Sequence, residues 1–144
     1  MKRFGSALPS APRMWKALIE KDLTERQGEM SSYKDSKSFI QRSKESITIL
    51  SRYPGRVPII VERVQKSHVP EIDKNKFLCP DTLTVGQFMY VIRRRMSLPP
   101  ETALFLFVGN TLPMASSFMK ELYSQHRDSD GFLYMQYAGE STFG

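Results

Sequence analysis

The sequence predicts an α+β domain, one mixed sheet with helices packed on it, and three observations carry that expectation. The stretch Arg56–Arg63 (Arg-Val-Pro-Ile-Ile-Val-Glu-Arg) is apolar almost throughout and rich in β-branched residues, which suits a strand. A half-solvated strand would be polar at every second residue; this one is not, so both its faces are expected to be covered. Ser38 with Gln41, and Thr84 with Gln87, each have capping-box spacing, so each pair opens a helix. From Arg56 onward the elements read strand, strand, helix, strand, short helix, strand. That order on one sheet is a β-grasp pattern, with an additional helical layer ahead of it.

The 144 residues suit a single domain whose core needs neither disulfide nor metal. Hydrophobic content of 40% and charged content of 25% are ordinary for a globular protein. A single cysteine excludes an internal disulfide and a cysteine-based zinc cluster, and fits a reducing compartment such as the cytoplasm. No apolar run approaches the roughly 18–20 residues of a membrane span, so any membrane association is expected to be peripheral or covalent. The net charge of +6 favours acidic partners without choosing among phospholipid, acidic peptides, tubulin-like tails and nucleic acid.

Residues 1–29 differ from the rest and read as an N-terminal extension. They hold the only tryptophan, a Pro/Ser/Ala stretch over residues 6–12, and mixed charge over residues 20–29. Trp15, Leu18, Ile19 and Leu23 fall at helical spacing, which allows a short amphipathic helix. A frayed extension is the expectation, since chain ends are mostly ordered only where tied down. The stretch lacks the apolar region of a secretory signal.

Residues 33–37 make a helical turn. The helix capped by Ser38 runs from Phe39 to about Arg52, with Phe39, Ile40, Ile47, Ile49 and Leu50 as its apolar stripe and Arg42, Lys44 and Glu45 outside it. Tyr53-Pro54-Gly55 stops it, and it becomes a lid for the strand at Arg56–Arg63. In that strand Val57, Ile59 and Val61 point one way, and Pro58, Ile60 and Glu62 the other. Pro58 cannot donate to a ladder and so belongs near the strand's start or at an unpaired position. Residues 65–75 are a polar loop. Lys76-Phe77-Leu78-Cys79-Pro80 is a short strand, expected to pair with the first and to lie at a sheet edge. The helix opened by Thr84 runs to about Met96. Val85, Phe88, Met89, Ile92 and Met96 are its core face, Arg93-Arg94-Arg95 its last turn, and Pro99-Pro100 its stop. Residues 104–108 are a third strand, and Ser117 caps a short helix to His126. Residues 128–131 (Asp-Ser-Asp-Gly) turn the chain into a last strand at 132–137, and a tail of small and polar residues ends at Gly144.

Catalysis finds no foothold in these residues. His68 and His126, the only histidines, lie in polar stretches and read as solvated. Cys79 beside Pro80 on an apolar strand reads as a small buried hydrophobe. With Gly131 at the sixth position of a calcium loop, His126 falls at the first and Tyr137 at the twelfth, and the ligand set collapses. No glycine-rich phosphate cradle or nucleophile elbow is present. The chain is therefore expected not to be an enzyme and to need no cofactor or metal.

The carboxyl end carries chemistry of another kind. A β-grasp domain whose last strand leads to a terminal glycine has the arrangement of a ubiquitin-like modifier. There the terminal carboxylate is adenylated and passed on as a thioester, and a missing side chain lets the backbone enter narrow active sites. The segments YPGRVPIIVE (residues 53–62), KFLCPDTLTVGQFMYVIRRRM (76–96), ALFLFV (103–108) and LYSQHRDSDGFLYMQYAGESTFG (122–144) together resemble the autophagy ubiquitin-like modifiers of the GABARAP and light-chain-three type. The resemblance spans about residues 33–144, nearly without gaps. It implies a ubiquitin-like β-grasp with two additional N-terminal helices: residues 30–55 the helical part, 56–138 the core and 139–144 the conjugation tail. It also implies a substrate of conjugation. A processing and delipidating cysteine protease exposes the glycine, activating and conjugating enzymes carry it as thioesters, and Gly144 ends as an amide on phosphatidylethanolamine in the autophagosome membrane. The unlipidated form is cytoplasmic. As written, nothing follows Gly144, so the chain is expected to be already processed, or else to need the protease only for delipidation. Two acyl chains, at about 0.8 kcal/mol per buried methylene, supply the anchoring that the sequence lacks.

The resemblance further implies recruitment of cargo receptors and adaptors through peptides with an aromatic-x-x-aliphatic core, bound as an added strand on Lys76–Pro80. The aromatic pocket then corresponds to Glu45, Ile49, Pro58, Ile60, Lys76, Leu78 and Phe132. The aliphatic pocket corresponds to Phe77, Cys79, Pro80, Leu83, Phe88, Val91 and Arg95. Arg56 and Lys74, with Lys76 and Arg95, form a basic flank for acidic or phosphorylated residues beside the motif. Read without the resemblance, the apolar members are plain core and the cations a solvated face.

Some positions depart from the family. Phe77 stands where tyrosine is common, and Cys79 replaces a larger aliphatic residue, which predicts a roomier second pocket. The front helix carries Ile47 and Leu50, with Ser43, Thr48 and Ser51, where members are often basic. That counts against tubulin as a partner and leaves a more apolar face for residues 1–29 to cover. Two alternatives stay open: a modifier conjugated to protein rather than lipid, and a basic tubulin- or RNA-binding domain using residues 93–95. No stacking aromatic residues are interleaved with those arginines, so nucleic acid is not expected.

Overall fold

The computed structural model describes residues 32–140; the extension with Trp15, Leu18, Ile19 and Leu23, and Gly144 in the tail, lie outside the described residues. Ser32 caps a first turn, α1 (Tyr33–Ser36), by accepting from the Asp35 amide. Ser38 caps α2 (Phe39–Arg52): its hydroxyl accepts from the Gln41 amide, and the Gln41 side chain accepts from the Ser38 N–H at 2.9 Å. Two donors without intrahelical partners are satisfied at once. Gly55, at φ +82°, turns the chain into β1 (Arg56–Arg63). There follow β2 (Lys76–Pro80), α3 (Val85–Met96) with the second capping box at Thr84 and Gln87, β3 (Phe105–Phe107), α4 (Met119–His126) and β4 (Leu133–Ala138).

The strands form one sheet in the order β2-β1-β4-β3. β1 runs antiparallel to β2 and parallel to β4, and β3 is antiparallel to β4. Residues 57–61 of the central β1 are all buried, as its uninterrupted apolar run requires. The Val61 amide donates to the Asn75 carbonyl, so odd-numbered amides of β1 point toward β2. The nitrogen of Pro58 therefore faces the β4 side, one residue before that pairing begins at Ile59, and its missing N–H costs no ladder bond. α2 lies over one face of the sheet. α3 lies over the other, burying Val85, Phe88 and Ile92.

The expected apolar stripe of α2 is not its buried face. Arg42, Ser46 and Ile49 are buried, whereas Phe39, Ile40, Ile47 and Leu50 are exposed. Arg42 and Ser46 read as polar but are received by Asp130: the guanidinium donates to its carboxylate at 3.0 Å, and the Ser46 hydroxyl donates to its carbonyl. Gly131, at φ +94°, makes the close approach possible, because a Cβ there would collide with Ser46. Smaller corrections follow from backbone hydrogen bonding. β3 is three residues rather than five, limited by its short ladder with β4. The N-cap of α4 is Phe118, not Ser117, with its N–H held by the Glu121 carboxylate at 3.2 Å. The last strand starts at Leu133 because Phe132 closes the preceding turn, its carbonyl accepting from Asp128. α3 ends before the prolines, at Ser97 in the left-handed region (φ 55°), whose N–H returns to the Arg93 and Arg94 carbonyls.

Candidate functional site

Among the described residues β2 is the outermost strand of the sheet, and β1 is its strand neighbour. Side chains alternate across a strand, so Lys76 and Leu78 face α2 while Phe77 and Cys79 face α3. The contacts agree: Lys76 reaches Glu45 on α2, and Phe77 meets the Phe88 ring of α3 edge-on at 5.6 Å. The residues expected to form the two pockets therefore lie on opposite faces of β2.

On the α2 side, register pairs Pro58 with Leu78 and Ile60 with Lys76, while Glu45 and Ile49 lie one turn apart on α2. Ile49, Ile60, Leu78 and Phe132 are buried, and the Lys76 side chain is only 2% exposed. Tyr33 ties this cluster together, a role that its place in a short helical turn does not reveal. Its ring packs edge-on against Phe132 at 5.5 Å, its hydroxyl donates to Glu45, and its N–H donates to Glu62 at 2.6 Å. The ammonium groups of Lys76 and Lys37 lie 5.1 and 5.5 Å from the Tyr33 ring centroid. Lys37, another residue missed from sequence, sits 3.6 Å from Glu45. Burial alone would raise the Glu45 pKa, but Lys76, the Tyr33 hydroxyl and Lys37 together outweigh it and hold the carboxyl below its ordinary value.

On the α3 side, Phe77, Cys79, Leu83 and Phe88 are buried, and Pro80 and Val91 are half-buried. Burial pushes the Cys79 thiol up, with the nearby Arg56 charge acting the other way, which disfavours the thiolate form at neutral pH. Arg95 stands apart at the exposed end of α3, where it pairs with Asp73 at 3.3 Å. Of the basic flank, Arg56 lies opposite Pro80, and its Nη1 is buried with no hydrogen-bond partner among the described residues. Lys74 is half-buried in the loop leading into β2.

Successive side chains of a strand laid along β2 would point alternately to the α2 and α3 faces, so residues an odd number apart reach opposite clusters. A spacing of three meets that condition. A separate concavity of about 430 Å³ opens where β4 meets the tail, lined by His68, Pro70, Met96, Leu98 and Gly139 among others. Among the described residues no helix is long and apolar enough to cross a membrane.

Residues 41–144 match the family model described as autophagy protein Atg8, ubiquitin like. Autophagy-related protein 8 of Candida glabrata is 52% identical over 114 residues, which is 79% of this chain and 97% of the relative. Autophagy-related protein 8d of Arabidopsis thaliana is 51% identical over 115 residues, 80% of this chain and 96% of the relative. Among solved structures, Trypanosoma brucei ATG8 superposes with a TM-score of 0.74 at 46% identity, covering 79% of this chain and 98% of that one. Plasmodium falciparum Atg8, solved in complex with a Plasmodium falciparum Atg3 peptide, superposes with a TM-score of 0.73 at 38% identity, covering 78% and 99%.

Proposed function

The chain belongs to the Atg8 family of autophagy ubiquitin-like proteins, and from that premise we propose that it is a modifier with two working parts: a C-terminal glycine that is conjugated and a sheet edge that docks peptides. The Gly144 carboxylate is adenylated, passed as a thioester between activating and conjugating enzymes, and joined as an amide to phosphatidylethanolamine on autophagosomal membranes. A cysteine protease exposes the glycine and later releases the lipid. The protein is thus the substrate of this chemistry rather than its enzyme, and is cytoplasmic when unlipidated. Two supports stand behind this half of the reading. The family match runs through residue 144 itself, and no helix among the described residues is long and apolar enough to cross a membrane, which is compatible with an anchor added covalently.

The observation that carries the docking half is the edge position of β2, with one cluster on each of its faces. Cargo receptors and adaptors with an aromatic-x-x-aliphatic core add to it as a strand, the aromatic anchor toward Glu45, Ile49 and Lys76 and the aliphatic one toward Phe77, Cys79 and Phe88. Arg56 and Lys74 attract acidic flanking residues. That the Plasmodium falciparum relative was solved with a peptide is in keeping with such a mode. Reconstitution with activating and conjugating enzymes, ATP and phosphatidylethanolamine liposomes tests the conjugation half by mass spectrometry. The expected product carries one lipid at Gly144; a protein adduct would favour the protein-conjugated alternative, and unmodified chain would overturn the reading.

A further inference from the structure

The N-terminal arm of this chain carries the spacing that the sheet edge accepts. Residues 15–18 read Trp-Lys-Ala-Leu, an aromatic and an aliphatic anchor three apart, in the 31 residues that precede the described ones. We propose that residues 15–18 dock as an added strand on β2 of the same molecule, Trp15 toward the α2-side cluster and Leu18 toward the α3-side cluster, so that the arm competes with incoming peptides. This rests on the docking half of the proposed function and names a regulator of that site.

The arm joins the domain beside the site it would fill. The described chain begins at Ser32, and the next residue, Tyr33, is packed within the α2-side cluster against Phe132, Glu45 and Lys76. Residues 19–31 lie between Leu18 and Ser32 and span up to about 43–47 Å when extended. That exceeds the diameter of a domain of this size, whose radius of gyration is about 13 Å. Charge favours the same occupant. Glu20 and Asp22, with Lys21 between them, follow the anchors closely and leave a net negative flank, and Arg56, opposite the end of β2, has a buried Nη1 with no hydrogen-bond partner among the described residues. The Candida glabrata relative is 97% covered by its match to 79% of this chain, so it has no length left for such an arm. A tethered ligand acts at an effective concentration of order millimolar, so even a weak motif would hold the groove against dilute competitors.

The full chain and its variants are titrated into a fluorescein-labelled peptide with a Phe-x-x-Leu core, read by anisotropy. The Trp15→Ala/Leu18→Ala double variant is expected to bind about tenfold more tightly than the unaltered chain. Ile19→Ala/Leu23→Ala, which alters the helical face but neither anchor, is expected to change nothing. Trp15 is the only tryptophan, so saturating unlabelled Phe-anchored peptide is expected to shift its emission to the red. Equal affinities for the chain and the Trp15→Ala/Leu18→Ala variant overturn self-docking while leaving peptide docking intact. An equal gain from Ile19→Ala/Leu23→Ala overturns it in favour of a helical contact, and a gap that grows with protein concentration overturns it in favour of a second copy. If none of the proteins binds the peptide, the docking reading fails and self-docking with it.

Discussion

Arg42 donates to Asp130 at 3.0 Å across 88 positions of sequence, and the Asp130 side chain is wholly buried. The same carboxylate accepts from the Tyr134 hydroxyl at 2.6 Å and from the Phe132 amide at 2.8 Å. One side chain therefore fastens α2 to the turn before β4, and with it the α2-side wall of the proposed docking site. Removing one partner of a buried ion pair strands the other in a low-dielectric interior. Arg42→Ala is expected to cost about 3–5 kcal/mol in urea denaturation. Lys44→Ala, exposed on the same helix, is expected to stay within about 0.5 kcal/mol. Equal small effects would mean that the pair does not hold the helix.

Gly131 and Gly55 separate two reasons for glycine. Both have positive φ, but a Cβ at Gly55 meets nothing within 4 Å, whereas one at Gly131 would overlap Ser46. Gly55→Ala is expected to cost about 1–2 kcal/mol, the left-handed penalty alone. Gly131→Ala is expected to cost more, because Ser46 must also retreat from the Asp130 carbonyl. Matching denaturation midpoints for the two variants would contradict the close approach of α2.

Acid should loosen the cluster around Glu45. The carboxyl has a folded pKa below its ordinary 4.5, since Lys76, Tyr33 and Lys37 outweigh the upward push of burial. A depressed folded pKa means that the unfolded chain takes up protons first. This contribution is complete above about pH 4.5 and is lost as pH falls through the folded value. Asp128 adds to the same trend: burial raises its pKa, but the hydrogen bond from Lys34 and the other contacts more than offset it. The urea midpoint should fall on acidification below about pH 4.5, and Glu45→Gln should flatten that slope. Identical slopes for both proteins would remove Glu45 from the account.

Cys79 is fully buried with its thiol pKa raised by burial. Maleimide labelling at neutral pH is expected to be slow in the native protein and to accelerate with urea in step with unfolding. Fast labelling without denaturant would show β2 opening by itself.

Much of this architecture was legible from local chemistry. Both capping boxes, at Ser38 with Gln41 and at Thr84 with Gln87, mark helix starts to the residue, because two reciprocal hydrogen bonds need that spacing and little else. The apolar run of β1 announces a strand buried on both faces. The buried side of α2 was hidden, because Arg42 and Ser46 become interior residues only through Asp130 and Gly131, more than eighty positions away. Tyr33 was hidden for a similar reason: its neighbours Phe132, Lys76 and Glu45 come from a turn, a strand and a helix far apart in sequence. The pocket residues, and their place on either side of β2, came from a family resemblance; geometry adds the contacts of Lys76 with Glu45 on one face and of Phe77 with Phe88 on the other.

That two-faced edge is the centre of the account, and peptide spacing probes it most directly. Two peptides are titrated calorimetrically into the Trp15→Ala/Leu18→Ala protein, one with an aromatic-x-x-aliphatic core and one shortened to aromatic-x-aliphatic. Even separation puts both anchors on one face, so the shorter peptide should lose the burial of one large side chain, about 1.5–3 kcal/mol or at least tenfold in affinity. The account predicts that loss; equal affinities for the two spacings would contradict docking along β2.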